Sequence, residues 1–263
     1  MQINAKLWIG VGLTVALGQA GAVMAQDSHA GHGTTPPAVA EGGEGGELGA
    51  FDSLSEDQQL QGSLGLIRGH LTVGRELYTG GRGSDAIPHF LHPAEEIYDG
   101  ARPTLDGRKV GFEKELDAVV ALARKNAPAT DVAKALDAVE KAVAKAEATI
   151  PAADRAKPGF LTPVIATLLR TAAAEYAAAV EEGVITSPME YQDGRGFYAI
   201  AKVYLGRLSA SVTSSDPAGN VAKSMDKLAP VWATLQPPKG KATPPGEVSA
   251  LVSNVELALS RLR

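Results

Sequence analysis

Apolar side chains recur at intervals of three and four along most of the chain, the period of a helix that buries one face. Leu60, Leu64, Ile67, Leu71, Gly74 and Tyr78 make the first such face, and Ser53 with Glu56 has the spacing of a capping box that opens it. Gly80, Gly81 and Gly83 end this helix and make the turn. Ser84 can cap a second helix, with Ile87, Phe90, Leu91, Ala94, Ile97 and Tyr98 on its apolar side. Pro93 has no N–H for the carbonyl of His89 and should kink it. The stretch ARPTLDGRKVG, residues 101–111, reads as a connection.

Phe112, Leu116, Val119, Val120 and Ala123 then mark a short helix. Val132, Ala135, Leu136, Val139, Ala142, Val143 and Ala146 mark a longer one, with Lys, Asp and Glu on its wet side. Pro151 to Pro158 is a break. Beyond it, Val164, Ile165, Leu168, Leu169, Ala172, Tyr176, Ala179 and Val180 share one face. Ser187, Pro188 and Glu190 form a helix start, followed by Phe197, Ile200, Ala201, Tyr204 and Leu208. Two further apolar series, Val221 to Trp232 and Val248 to Leu262, complete the pattern. The expected fold is all-α: an antiparallel bundle of about eight helices built from helical hairpins. It forms one domain over residues 52–263, divisible into halves at 52–150 and 159–263.

The first 51 residues break this pattern. Lys6, the apolar run that follows it and the small residues Val23 and Ala25 read as a signal peptide, residues 1–25, cleaved before Gln26. Residues 26–51 are rich in Gly, Pro and Glu and read as a flexible tether. Its His29 could join a free amine around a square-planar copper(II) ion if processing removed one residue more. No later segment approaches the ~20 apolar residues that span a bilayer. The expected location is therefore periplasmic or secreted, with no membrane span once the signal is removed.

The formal charge of −5 becomes −6 on loss of Lys6, which argues against a nucleic acid partner. The chain has no cysteine, so any metal must be held by imidazole, carboxylate, phenol or carbonyl groups.

Three of the five histidines, His70, His89 and His92, fall within Gly69–Asp99, with Glu95 and Glu96 close behind. His70 and His92 each stand about 11 residues from the first turn, so an antiparallel pair brings them to one depth. Glu175 lies within an apolar arc and Asp193 beside Phe197, at comparable distances from the second turn. A carboxylate on a buried face must be paired, protonated or metal-bound. Gly194 and Gly196, inside an otherwise helical run, imply that something packs close to the backbone.

The expected site is a metal centre for iron, copper or zinc, with His70, His89, His92, Glu96, Glu175 and Asp193 as candidate ligands. Tyr98, Tyr176 and Tyr191 could add phenol oxygens for a ferric ion. The order His92-x-x-Glu95 occurs once and reverses the Glu-x-x-His repeat of di-iron bundles. A non-catalytic protein-interaction scaffold is the second reading, since Gly74, Ala86 and Phe90 match tetratricopeptide spacings in a single copy. An enzyme comes third, for the chain carries no Gly-x-Ser-x-Gly turn, His-Glu-x-x-His helix or phosphate-binding Gly-rich loop.

Overall fold

The computed structural model describes residues 46–212, 216 and 219–262. The signal peptide, most of the tether, and His29 and His32 with it, lie outside the described residues. The domain is an all-α bundle built from helical hairpins. In chain order the helices are α1 (Gly46–Gly49), α2 (Glu56–Thr79), α3 (Gly83–His92), α4 (Tyr98–Gly107), α5 (Glu113–Arg124), α6 (Ala129–Glu147), α7 (Pro158–Ala179), α8 (Pro188–Val212), α9 (Asn220–Asp226) and α10 (Pro245–Leu259). A π-helical turn, Pro93–Ile97, stands where Pro93 leaves a carbonyl without its usual donor.

Three local expectations need correction. The capping box that opens α2 is made by Ser55 and Gln58, two residues later than the Ser53–Glu56 pair. The supposed connection ARPTLDGRKVG is mostly helix, because Pro103 is accommodated within α4 while Ala101 and Leu105 are buried. The last residues assigned to the tether fold onto the bundle. Glu47 and Phe51 are buried, and the Phe51 ring lies where a side chain on Gly62 would otherwise stand.

The α7–α8 hairpin turns through a two-residue ribbon in which Val180–Glu181 pairs with Val184–Ile185. Glu182 and Gly183 both take positive φ, 50° and 79°, the conformation of a type I′ turn. Helix α2 packs against α3 on one side and against α7 and α8 on another. Thus α2 lies against helices more than a hundred residues further on, unlike a repeat stack in which each hairpin meets only its neighbours.

Glycines set how closely these helices approach. A Cβ on Gly196 of α8 would lie 2.5 Å from the carbonyl oxygen of Gly69 in α2. One on Gly194 would lie 2.8 Å from that of Ala172 in α7. Helix α8 is therefore seated backbone-to-backbone between its two partners.

A second tie is ionic. Glu147, at the end of α6, is buried and accepts hydrogen bonds from Arg68 Nη1 at 2.8 Å, from Gln61 Nε2 at 2.9 Å, and from Arg207 Nη1. Burial works to raise its pKa, but the Arg207 hydrogen bond and the Arg68 charge outweigh this and hold it down at about 2. The tie joins α2, α6 and α8.

Gly196→Ala should destabilise the domain by about 1–3 kcal/mol in chemical denaturation, because backbone cannot yield as a side chain can. Gly159→Ala, where an added Cβ meets nothing within 4 Å, should be neutral or slightly stabilising. The Glu147 contribution has a defined pH window. Its folded pKa lies below the unfolded value of 4.5, so the stability it adds is fully present above pH 4.5 and lost as pH falls toward 2. Glu147→Gln should remove that acid sensitivity and cost about 3 kcal/mol at pH 7, read from melting curves against pH.

Candidate metal centre

Three helices and the short N-terminal turn converge on His70, in the middle of α2. The neighbouring Gly69 lets Gly196 and Phe197 of α8 come close, and the Phe197 ring stands edge-on to the His70 ring at 5.0 Å. That seating carries Asp193, one turn earlier on α8, over His70. Helix α3 supplies His89, and His92 at its last position before the π-helical turn. Turn α1 supplies Glu47.

The donors are close and dry. Glu47, His70, His89 and Asp193 are 3%, 0%, 1% and 3% exposed. Asp193 Oδ1 lies 2.7 Å from His70 Nδ1 and 2.8 Å from His89 Nδ1. On the far side of the same ring, His70 Nε2 lies 3.2 Å from Glu47 Oε2. The His92 ring centroid is 4.7 Å from that of His70. Two three-residue groups result, Glu47–His70–His92 and His70–His89–Asp193, each with ligand atoms within 4.8 Å of one another. Two ring nitrogens, His70 Nδ1 and His92 Nε2, are buried without a hydrogen bond. Each nevertheless has a carboxylate oxygen beside it, Asp193 at 2.7 Å and Glu96 at 3.3 Å, off the N–H direction.

A further contact fixes the His89 ring. Its Nε2 lies 3.0 Å from Gln192 Oε1, while the Gln192 amide nitrogen donates to the carbonyl of Leu235 at 3.2 Å. The Gln192 oxygen can only accept, so His89 Nε2 must carry a proton. The other ring nitrogen, Nδ1, makes its hydrogen-bond contact with Asp193 Oδ1 at 2.8 Å and is the nitrogen left to bind a metal.

Electrostatics follow the same geometry. Burial works against a charged His70, but Asp193 and Glu47 more than offset it and raise the ring pKa well above 6.5. Burial would raise Asp193, yet His70 and His89 hold it well below the usual carboxylate range. Glu175 is pushed up to about 8, first by burial and then by the charges of Glu47 and Asp193. Without a metal, His70 is an imidazolium between two carboxylates while Glu175 keeps its proton at neutral pH. Imidazole and carboxylate donors of this kind suit first-row metals such as iron, zinc and copper(II).

Of the candidates read from the sequence, His70, His89, His92 and Asp193 meet in this cluster. Glu96 touches His92 at the rim, its side chain 38% exposed. Glu175 lies within the field of the cluster but contributes no atom to either group. Glu95 is exposed and faces Arg124. The three tyrosines have other tasks: Tyr98 Oη accepts from the Phe112 amide, while Tyr176 and Tyr191 donate to the carbonyls of Thr243 and Thr234. Glu47 and Gln192 are additions that the sequence reading lacked. Phe51, a large apolar residue one helical turn beyond Glu47, was the available sign that the chain there folds onto the bundle.

The fold and the cluster define a helical-bundle protein with a buried histidine–carboxylate centre. Residues 151–262 match the family model of the iron permease-associated 4-helix bundle domain. The matched stretch includes Glu175, Gln192 and Asp193; Glu47 and all three clustered histidines precede it. No curated protein and no solved structure matches the chain.

The raised pKa of Glu175 makes a prediction for the metal-free protein. Its folded value of about 8 lies above the unfolded 4.5, so the folded state holds an extra proton between them. Stability is full below pH 4.5 and falls as pH rises to 8. Glu175→Gln should match the parent at pH 5 and exceed its stability at pH 8.5 by a few kcal/mol, on the order of the shift it relieves. Equal pH profiles for the two proteins would show that Glu175 is already charged in the fold.

Proposed function

We propose that this is an exported metal-binding protein whose bundle takes up iron at the His70–His89–His92 cluster, with Asp193 and Glu47 as carboxylate ligands. The carrying observation is the convergence of two imidazole nitrogens on one buried carboxylate oxygen, Asp193 Oδ1, at 2.7 and 2.8 Å. Desolvating such a group is costly unless a proton or a cation sits among the donors. The match of residues 151–262 to the iron permease-associated domain supports iron over zinc or copper as the natural ion. It also supports a membrane transporter as partner.

Export rests on the N-terminal signal pattern. Among the described residues, no helix is long and apolar enough to cross a membrane. An ion would enter where His92 and Glu96 reach the surface, their side chains 12% and 38% exposed, and pass inward to His70. The π-helical turn carries Glu96 beside His92, and π-helical geometry recurs at functional sites.

The test is elemental analysis of tag-free mature protein beside a His89→Ala/Asp193→Ala variant. The parent should carry stoichiometric iron that the variant lacks. Adding iron(II) anaerobically to stripped parent at 100 times Kd should stabilise it by about 2.7 kcal/mol, seen as a higher melting temperature. A parent without metal, whose melting is unmoved by iron, copper and zinc, would sink the reading.

A further inference from the structure

The two donor groups share one residue through opposite atoms. Asp193 and His89 stand at the Nδ1 side of His70, whereas Glu47 stands at Nε2, with the His92 ring also packed against His70. One metal ion cannot use both nitrogens of one imidazole, because their lone pairs diverge in the ring plane. A single-ion site would leave one of these groups as mere support. Such support is normally a hydrogen bond from the ring N–H to a carboxylate. On the Nδ1 side that bond is not made: His70 Nδ1 has Asp193 at 2.7 Å yet off the N–H direction.

His89 argues the same way. Gln192, itself held by the Leu235 carbonyl, engages Nε2 as an N–H donor, so Nδ1, hydrogen-bonded to Asp193 Oδ1 at 2.8 Å, is the nitrogen left to exchange that contact for a metal. The Nδ1 side thus has the form of a ligand set, with its own orienting residue. The Nε2 side has an anionic donor in Glu47, and in His92 a second imidazole whose Nε2 is buried without a hydrogen bond.

We propose that the centre holds two metal ions bridged by the His70 imidazole, one bound by Asp193, His89 and His70 Nδ1, the other by Glu47, His92 and His70 Nε2. The inference rests on the metal-binding reading above and deepens it from one ion to a pair. Bridging through both nitrogens requires His70 to give up its ring protons to solvent; the two cations take their place. No electron transfer is involved.

Copper(II) alone serves as the probe, on stripped full-length mature protein carrying His29→Ala and His32→Ala so that the N-terminal histidines offer no site. Metal per chain after gel filtration should saturate at two. Electron paramagnetic resonance of the doubly loaded protein should integrate to far less than two spins, because an imidazolate bridge couples the pair antiferromagnetically. Glu47→Gln/His92→Ala should bind one copper with a full single-spin signal, its folding checked by circular dichroism. Saturation at one ion in the parent would overturn the pair and leave the metal-binding reading standing. Two ions with two full spins would overturn the bridge. No bound copper in the parent would remove the pair, and absence of iron as well would remove the reading beneath it.

Discussion

The buried cluster depends on one steric fact: α8 rests on the bare backbone of α2. With Gly196 against Gly69, the two helices approach more closely than any Cβ permits, and Asp193 is carried down onto the ring of His70. Gly194 does the same on the other flank, against Ala172 of α7. Helix interiors normally lose stability at glycine, roughly 1 kcal/mol each relative to alanine. Here the loss is offset by an approach that sets three helices at a fixed spacing. Donors mounted on such elements hold their positions better than donors on loops.

Two buried polar systems sit along this seam, and they solve the same problem differently. Glu147 is neutralised by Arg68 and Arg207. Guanidinium does not deprotonate in proteins, so that charge balance is permanent and the network is structural. Asp193 is neutralised by imidazoles, whose protons can be exchanged for a metal. The chemistry of the partner separates a strut from a candidate binding site, although both carboxylates have depressed pKa values for the same electrostatic reason.

Much of this arrangement was legible in the apolar period. The helical faces, the α2–α3 and α7–α8 hairpins and the common depth of His70 with His92 follow from counting residues along helices. Gly194 and Gly196 signalled a close approach before its partners were known. Other features were hidden for physical reasons. A Gly- and Glu-rich segment has no amphipathic period, so although Phe51 hints that the chain there is buried, nothing singles out Glu47. Gln192 acts by orienting another side chain, which leaves no trace in spacing. Tyr98, Tyr176 and Tyr191 looked like donors because a phenol and its hydrogen-bond partner are joined only by tertiary structure.

The site also bears on how the chain is divided. The break at Pro151–Pro158 suggests two halves, and the match to the iron permease-associated domain falls on the second. That half supplies Asp193, Gln192 and Glu175 but no histidine, since the chain has none after His92. Isolated from α2 and α3, the carboxylates of α7 and α8 would keep a hard, oxygen-only donor set, better suited to calcium or magnesium than to a transition metal. The imidazoles of α2 and α3 change that preference, and they reach Asp193 only because the two glycines allow α8 to close on α2. A donor set suited to a first-row metal is therefore a property of the packed interface between α2–α3 and α8 and belongs to neither side alone.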